Sequence, residues 1–335
     1  VIIRAAVPAR AGLVGNPSDM CRGKVISFLI ENFAARVQLW ESPKLTFRLH
    51  PDHDRSEFSD LWDLVSAVRR HGYYGMQRLL FATCTRFARY CQERGITLRR
   101  ANFTLEYETD IPRQSGLGGS SAMIIAALRA LLRFHRVPQE AVPPEELAEL
   151  ALSVETGELS IAAGLQDRVV QSYGGLTYMD FSGDRPRYER LESRLLPRFG
   201  LGYLTDEQVG QRESGLVHGE IRYRWEQGDP EVRRGMRELA RCAEAGREAL
   251  LAGDIKQLGR LMNRNFDLRR GLYGDQALGE HTIALVETAR AAGCPAKLPG
   301  SSGAALVLLD SKEAEQALAD AYGAKGYRFT PIRGR

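Results

Sequence analysis

The sequence predicts a two-domain protein of the α+β class, and three observations carry that prediction. The chain has 335 residues, more than one hydrophobic core usually encloses. Up to about Asp180, short β-rich runs mix with helical stretches. Beyond about residue 200 the pattern becomes a strand, a series of helices and two further strands, the order of a small α+β sandwich. Residues 1–195 are read as the first domain and 196–335 as the second.

The elements follow in order. Val1 to Val7 reads as a strand. After it a Gly/Pro-bounded turn from Pro8 to Asp19 carries Arg10, Asn16 and Asp19, and such a turn between apolar strands is a rigid mount for binding groups. Ala34 to Trp40, Leu45 to Leu49 and Phe103 to Tyr107 read as strands, the last because Phe103, Leu105 and Tyr107 alternate with polar residues. Helices are expected over Met76 to Glu93, Ser121 to Phe134 and Pro144 to Val154. Phe181 to Arg198, rich in Arg, Pro, Gly and Ser, reads as a connection. Then come a strand at Leu201 to Leu204 and helices at Pro230 to Ala252, Ile255 to Arg270 and Gly279 to Ala292. A strand at Ala304 to Leu309, a helix to Tyr322 and a strand at Tyr327 to Ile332 close the chain.

Composition narrows the function. Hydrophobic residues at 44% and charged residues at 26% are ordinary globular values. A net charge of +4, with the basic pairs Arg69-Arg70, Arg99-Arg100 and Arg233-Arg234 scattered among acids, argues against a nucleic-acid partner. Five widely spaced cysteines without a CxxC argue against a zinc site or a disulfide framework and fit a reducing cytoplasm. Val1 to Val7 is too short for a signal-peptide core, and no apolar run approaches membrane-spanning length, so no membrane partner is expected.

The segment Ile111-Pro112-Arg113-Gln114-Ser115-Gly116-Leu117-Gly118-Gly119-Ser120-Ser121-Ala122 runs from the alternating strand directly into a helix marked by Ile124, Leu128, Leu131 and Leu132. Strand, glycine loop and helix together read as a phosphate cradle. Glycines let backbone N–H groups approach an anion, and the free N–H groups and dipole of a helix start favour negative charge. A glycine-rich turn that merely caps a buried helix has the same spelling. No segment fits G-x-x-x-x-G-K-[ST], and the G-x-G-G spacing of Gly116, Gly118 and Gly119 fails the dinucleotide fingerprint G-x-G-x-x-G. A second small-residue loop, Lys297-Leu298-Pro299-Gly300-Ser301-Ser302-Gly303, precedes the strand at Ala304.

A phosphate cradle needs carboxylates, and Glu155 and Asp167 are the candidates. Along one unbroken helix they would stand about 18 Å apart. If Gly157 and Gly164 turn the chain back, Glu155 can hold a magnesium ion against the phosphates while Asp167 takes the proton of an acceptor hydroxyl. The plainer reading makes Glu155 an exposed helix-end acid and pairs Asp167 with Arg168.

In this order the motifs resemble the GHMP kinase superfamily, named for galactokinase, homoserine kinase, mevalonate kinase and phosphomevalonate kinase. Its members carry an N-terminal substrate motif, a central Pro-x-x-x-Gly-Leu-x-x-Ser-Ser-Ala loop and a C-terminal glycine-rich loop. Here Pro112, Gly116, Leu117, Ser120, Ser121 and Ala122 spell the second. The resemblance implies a ribosomal-S5-like N-terminal domain and a ferredoxin-like C-terminal domain, with ATP as co-substrate and magnesium as cofactor. By that resemblance Asp167 is the catalytic base and Arg10 assists phosphoryl transfer. Arg10, Asn16, Asp19 and Gln166 face the acceptor, and Gly118, Gly119, Gly300, Ser301 and Ser302 join the ATP loops. Glu155 binds magnesium, with Ser120 or Ser121 as the second contact and Ser121 the one chosen.

Asn16-Pro17-Ser18-Asp19, Gly72-Tyr73-Tyr74-Gly75, Ile111-Pro112-Arg113-Gln114, Gly164-Leu165-Gln166-Asp167-Arg168 and Asn265-Phe266-Asp267-Leu268-Arg269-Arg270 resemble the glucuronokinase branch, which phosphorylates glucuronic acid at its anomeric hydroxyl. Arg113, Arg269 and Arg270 are candidate partners for a uronate carboxylate, although Arg269 and Arg270 would equally suit the end of a helix. Two departures stand out: Asn16 lies where galactokinases have an acidic residue, and Ser301-Ser302 replace glycines usual in the third motif. A neutral hexose, heptose or cyclitol acceptor, or a silent sugar and nucleotide sensor on the same fold, stays open. Trp62 is a candidate for the adenine site, though a tryptophan in Leu61-Trp62-Asp63-Leu64-Val65 equally suits a core. The sequence does not disclose the oligomeric state.

Overall fold

A computed structural model describes residues 1–50, 54, 76–205, 207–208 and 214–333. Trp62 and the Gly72 to Gly75 motif lie outside the described residues. Strands β1 (Ile2–Val14), β2 (Lys24–Glu41), β3 (Thr46–Phe47), β4 (Phe103–Thr109), β5 (Leu176–Asp180) and β6 (Arg187–Leu191) make one six-stranded sheet. Strands β7 (Phe199–Tyr203), β8 (Ala296–Lys297), β9 (Ala304–Leu308) and β10 (Arg328–Pro331) make a four-stranded antiparallel sheet in the order β10-β7-β9-β8. The helices are α1 (Met76–Glu93), α2 (Gly119–Phe134), α3 (Pro144–Ser153), α4 (Gln166–Tyr173), α5 (Ser214–Glu226), α6 (Pro230–Ala252), α7 (Ile255–Leu278), α8 (Glu280–Ala291) and α9 (Lys312–Gly323). Mixed sheets and helices make this the expected α+β fold.

The centre of the first sheet is β2, whose 18 residues leave room for three partners. One edge pairs with β1 from Ile2↔Trp40 to Val14↔Ile26. The other pairs with β5 through Lys24 to Phe28 and with β4 through Ala35 to Glu41. Helix α2 lies across β1 and β2, and its run Ala122-Met123-Ile124-Ile125-Ala126-Ala127-Leu128 is wholly buried. A helix apolar all round belongs in the middle of a core.

Three expectations need correction. Pro8 to Val14 is no turn: β1 continues to Val14, with register shifts at Pro8/Ala9 and at Gly12/Val14. Those irregularities absorb the proline and glycine that made the segment read as a turn, and they bracket Arg10 on a strand. Phe181 to Arg198 holds β6, paired with β5 from Leu176↔Leu191 to Asp180↔Arg187. The helix beginning at Ile255 runs past Arg270 to Leu278, with non-helical backbone only at Gly274.

Candidate active site

A cleft of about 340 Å³ opens where β1, the loop before α2, the α3–α4 connection, α7 and the Leu298 to Gly303 loop converge. The loop before α2 ends at Gly118, which takes φ 72° and caps the helix without any side-chain hydrogen bond. The first N–H groups of a buried helix are therefore open to an anion instead of being satisfied by a serine or aspartate. Ser120 lines the cleft. Ser121 does not: it is fully buried, and its hydroxyl donates to Gly118 O at 3.0 Å. Neither Ala122 nor Ser302 is on the cleft wall, whereas Pro112, Gly116, Leu117, Gly119, Gly300 and Ser301 are. Among the two serines, the geometry places Ser120 and not Ser121 towards a ligand.

Two glycine loops close on each other here. A Cβ built on Gly300 would lie 1.8 Å from Gly116 O, and Gly116 itself has φ 64°. Gly303, at φ 79°, is as closely packed: a Cβ built on it would lie 2.4 Å from Gln114 O. Gly300 and Gly303 thus supply the close approach that Ser301-Ser302 seemed to forfeit. Arg269 fixes the arrangement from below, donating to Gly300 O at 2.5 Å and Ser301 O at 2.8 Å.

The carboxylates come together as the glycine argument required, by a different device. Helix α3 ends in a π-type turn, Val154–Glu158, and Ser160, in the connection to α4, takes the left-handed φ of 55°. Gly164 matters for space: a Cβ there would lie 2.4 Å from Asp19 Oδ2. The plainer pairing of Asp167 with Arg168 does not form closely, the two standing at 4.0 Å. Arg10 instead grips Asp167 with both forks, Nε to Oδ1 at 2.5 Å and Nη2 to Oδ2 at 2.6 Å. Its Nη1 donates to Gly116 O at 2.5 Å and to Pro299 O at 2.9 Å, tying Asp167, the glycine loop before α2 and the C-terminal loop to one guanidinium. Glu155 is buried, not exposed, and pairs with Arg168. Arg168 also donates to Gly164 O at 2.7 Å, and burial lowers its pKa to about 9, with the charge of Arg10 acting in the same direction.

Asp19 is half-buried on the cleft wall. Burial and the neighbouring Asp167 charge push its pKa up to about 6, against the opposing pull of a Gln166 backbone N–H and Arg10. Gln166 is buried on the same wall and donates from Nε2 to Ser27 Oγ at 2.7 Å. Asn16 donates to Leu298 O at 3.3 Å and accepts from the buried Lys297. Asn265 braces the turn, accepting from Gly15 N at 2.6 Å and donating to Asn16 O at 3.1 Å. Arg113 lines the cleft. Arg270 is a correction: it is directed outward to Asp275 and Glu287 and is absent from the cleft wall.

Lys297, Arg168 and Asn265 were missed as site residues. The signal available for Lys297 was one lysine inside the small apolar run Pro295-Ala296-Lys297-Leu298.

A helix start open to phosphate, facing an arginine-held carboxylate across a shared cleft, defines a phosphotransferase. Residues 79–175 match the family model "GHMP kinases N terminal domain" and residues 247–328 match "GHMP kinases C terminal". The chain belongs to the GHMP kinase family, and is a kinase with ATP as co-substrate. It is 42% identical over 332 residues to Glucuronokinase 1 of Arabidopsis thaliana, spanning 97% of this chain and 90% of that one. It is 47% identical over 306 residues to a second Arabidopsis thaliana protein, "Probable glucuronokinase 2", spanning 89% and 82%. The fold is shared with Methanococcus jannaschii mevalonate kinase, at TM-score 0.72 and 17% identity over 100% of this chain and 98% of that one. It is shared equally with Lactococcus lactis galactokinase complexed with galactose, at TM-score 0.76 and 16% identity over 99% and 93%. Among the described residues no helix is long and apolar enough to cross a membrane.

Proposed function

We propose that this kinase transfers the γ-phosphoryl group of ATP to the anomeric hydroxyl of a sugar acid, glucuronate, giving glucuronate 1-phosphate and ADP. The observation that carries the reading is the bidentate Arg10–Asp167 pair set beside the uncapped start of α2. The substrate class draws on the two glucuronokinases, which this chain matches over most of their lengths. It also draws on the cations Arg10, Arg113 and Arg269 lining the cleft.

In this reading the triphosphate lies along Gly116 to Ser120, its charge met by loop N–H groups and the helix start. The anomeric hydroxyl enters beside Asp167 and takes over one of its bonds to Arg10. Asp167 accepts the hydroxyl proton as the acceptor oxygen bonds to the γ-phosphorus and the bond to ADP breaks. Arg10, freed on that side, neutralises the transferring group. Asp19, Asn16 and Gln166 hold the sugar.

Magnesium fits the residues present. Glu155 and Ser120 are hard oxygen donors on one cleft wall, and among the described residues no group of three or more His, Cys, Asp or Glu could form a dedicated cage. Magnesium asks for no such cage, since it takes one or two protein oxygens and completes its shell with water and phosphates. When bound it would neutralise phosphate charge; Arg168 holds Glu155 in place meanwhile. Cys21, Cys84, Cys91, Cys242 and Cys294 are free thiols, which supports a reducing compartment such as the cytoplasm.

An ADP-release assay across uronic acids, neutral sugars and cyclitols tests the proposal, with the phosphorylated position read by phosphorus NMR. Glucuronate should be preferred and carry phosphate on C1. Phosphate on another carbon, or a neutral sugar preferred, would refute it.

A further inference from the structure

Lys297 has no part in the mechanism above. It stands on β8 with no exposed surface, and its Nζ donates to Gly12 O at 2.8 Å and to Asn16 Oδ1. Both partners are neutral oxygens. Among the described residues no carboxylate pairs with it, and burial together with the charges of Arg269 and Arg10 holds its pKa well below the usual lysine range. A buried cation given only neutral partners is costly to keep unless an anion arrives to answer it.

The lysine also decides how Asn16 is presented. Because Nζ donates to Oδ1, the amide oxygen is turned to the lysine and the amide nitrogen is the group left for the cleft wall. That nitrogen has one contact, to Leu298 O at 3.3 Å, and a second N–H to spare. An aspartate at this position would cancel the lysine with an ion pair and set a negative charge against the substrate. This chain has a neutral amide there, so the positive charge behind it is not spent within the protein. Gly12 keeps the wall thin: a Cβ on it would lie 2.6 Å from Gln166 Nε2 and 3.0 Å from Asn16 Cγ.

We propose that Lys297 is a positioning residue that sets the preference for an acidic sugar by acting through Asn16. The Asn16 amide nitrogen donates to the sugar carboxylate, and Lys297 behind it, whose charged form is disfavoured until that anion arrives, supplies the counter-charge once it is bound. The inference rests on the sugar-acid reading and names where the acid is sensed.

The test compares kcat and KM for glucuronate and glucose in the unmodified enzyme, Asn16→Asp, Lys297→Met and Arg113→Ala. Asn16→Asp and Lys297→Met should each cut the glucuronate-to-glucose ratio of kcat/KM by at least about 30-fold, mainly through a higher KM for glucuronate. Equal losses on both sugars would reduce Lys297 to a scaffold role and overturn the proposal. A ratio that collapses only in Arg113→Ala would also overturn it, moving the acid to Arg113. If Lys297→Met does not fold, Asn16→Asp decides, since it changes charge and not shape. Failure of the underlying reading shows separately, as an absent preference in the unmodified enzyme, and takes the proposal with it.

Discussion

Asp19 is charged at a cost. Its carboxyl sits half-buried beside Asp167, and its pKa stands near 6 in the folded chain against 3.8 for an ordinary aspartate. The folded state therefore holds this proton more tightly than the unfolded one. The penalty is absent below about pH 4, grows between 4 and 6, and is complete above 6. Asp19→Asn should accordingly raise the melting temperature by a few degrees at pH 8, on the order of 2 kcal/mol, with the gain gone at pH 4. Melting both proteins at the two pH values checks the sign, and a gain that persists at pH 4 would point to packing instead. Asp167→Asn tests the other carboxylate: turnover should fall by at least about 10²-fold with sugar affinity largely kept, and near-normal turnover would remove it from the mechanism. Both acids were legible because each is a polar residue in a glycine-bounded motif. Arg269 and Arg270 were not separable, since successive helix residues point about 100° apart and only the packing of α7 says which one faces the cleft. The pairing of Arg168 with Glu155 was hidden for a related reason: the connection between them passes through a π-type turn and a left-handed serine, Ser160, that residue spelling does not announce.

At the scale of elements, the cleft is a meeting of loops whose shapes are set by absent side chains. Gly300 and Gly116 touch backbone to backbone, and a methyl on Gly300 would sit 1.8 Å from Gly116 O. No rotamer relieves that contact, so the loops must part. Gly300→Ala should cost about 1–3 kcal/mol of stability and weaken ATP binding, because the displaced partner is the loop proposed to carry the triphosphate. A thermal melt with and without ATP reads both effects; unchanged ATP affinity would show that the two loops act separately. The glycine loop, α1 and α6 were readable from spelling and helical spacing. β1 was read short because Pro8 and Gly12 break its alternation, and only pairing with β2 shows that bulges carry the strand through them. β6 was missed because Arg187 to Leu191 has mostly polar or half-exposed residues, which edge strands tolerate and sequence patterns do not reveal.

At the scale of the molecule, the first sheet draws its strands from residues before 192 and the second from residues after 198; the second half keeps a core of its own around Phe266, Val286 and Tyr322, yet the two halves also share one interior. Phe28 of β2 stacks on Phe199 of β7 at 5.4 Å, and Leu201, Ala304 and Leu306 belong to the same core as Val7, Ile26 and Leu39. Helix α6 presses in as well, with Gly246 placed so that a Cβ would lie 2.6 Å from Val14 Cγ2. Backbone bonds add to this, Gly12 N donating to Pro299 O at 2.8 Å and Glu31 N to Arg333 O at 3.0 Å. The site itself spans the same seam, since Arg10 on β1 holds Pro299 O and Asn265 on α7 holds the Gly15 turn. Separating the halves would uncover these apolar faces and orphan a buried arginine and lysine, costs of several kcal/mol against a total stability of about 5–15 kcal/mol. The whole chain should therefore unfold in a single calorimetric transition, and a fragment ending at residue 195 should not melt cooperatively. Two resolved transitions, or a cooperative fragment, would mean that the halves are independent and that the cleft forms by docking of two finished domains.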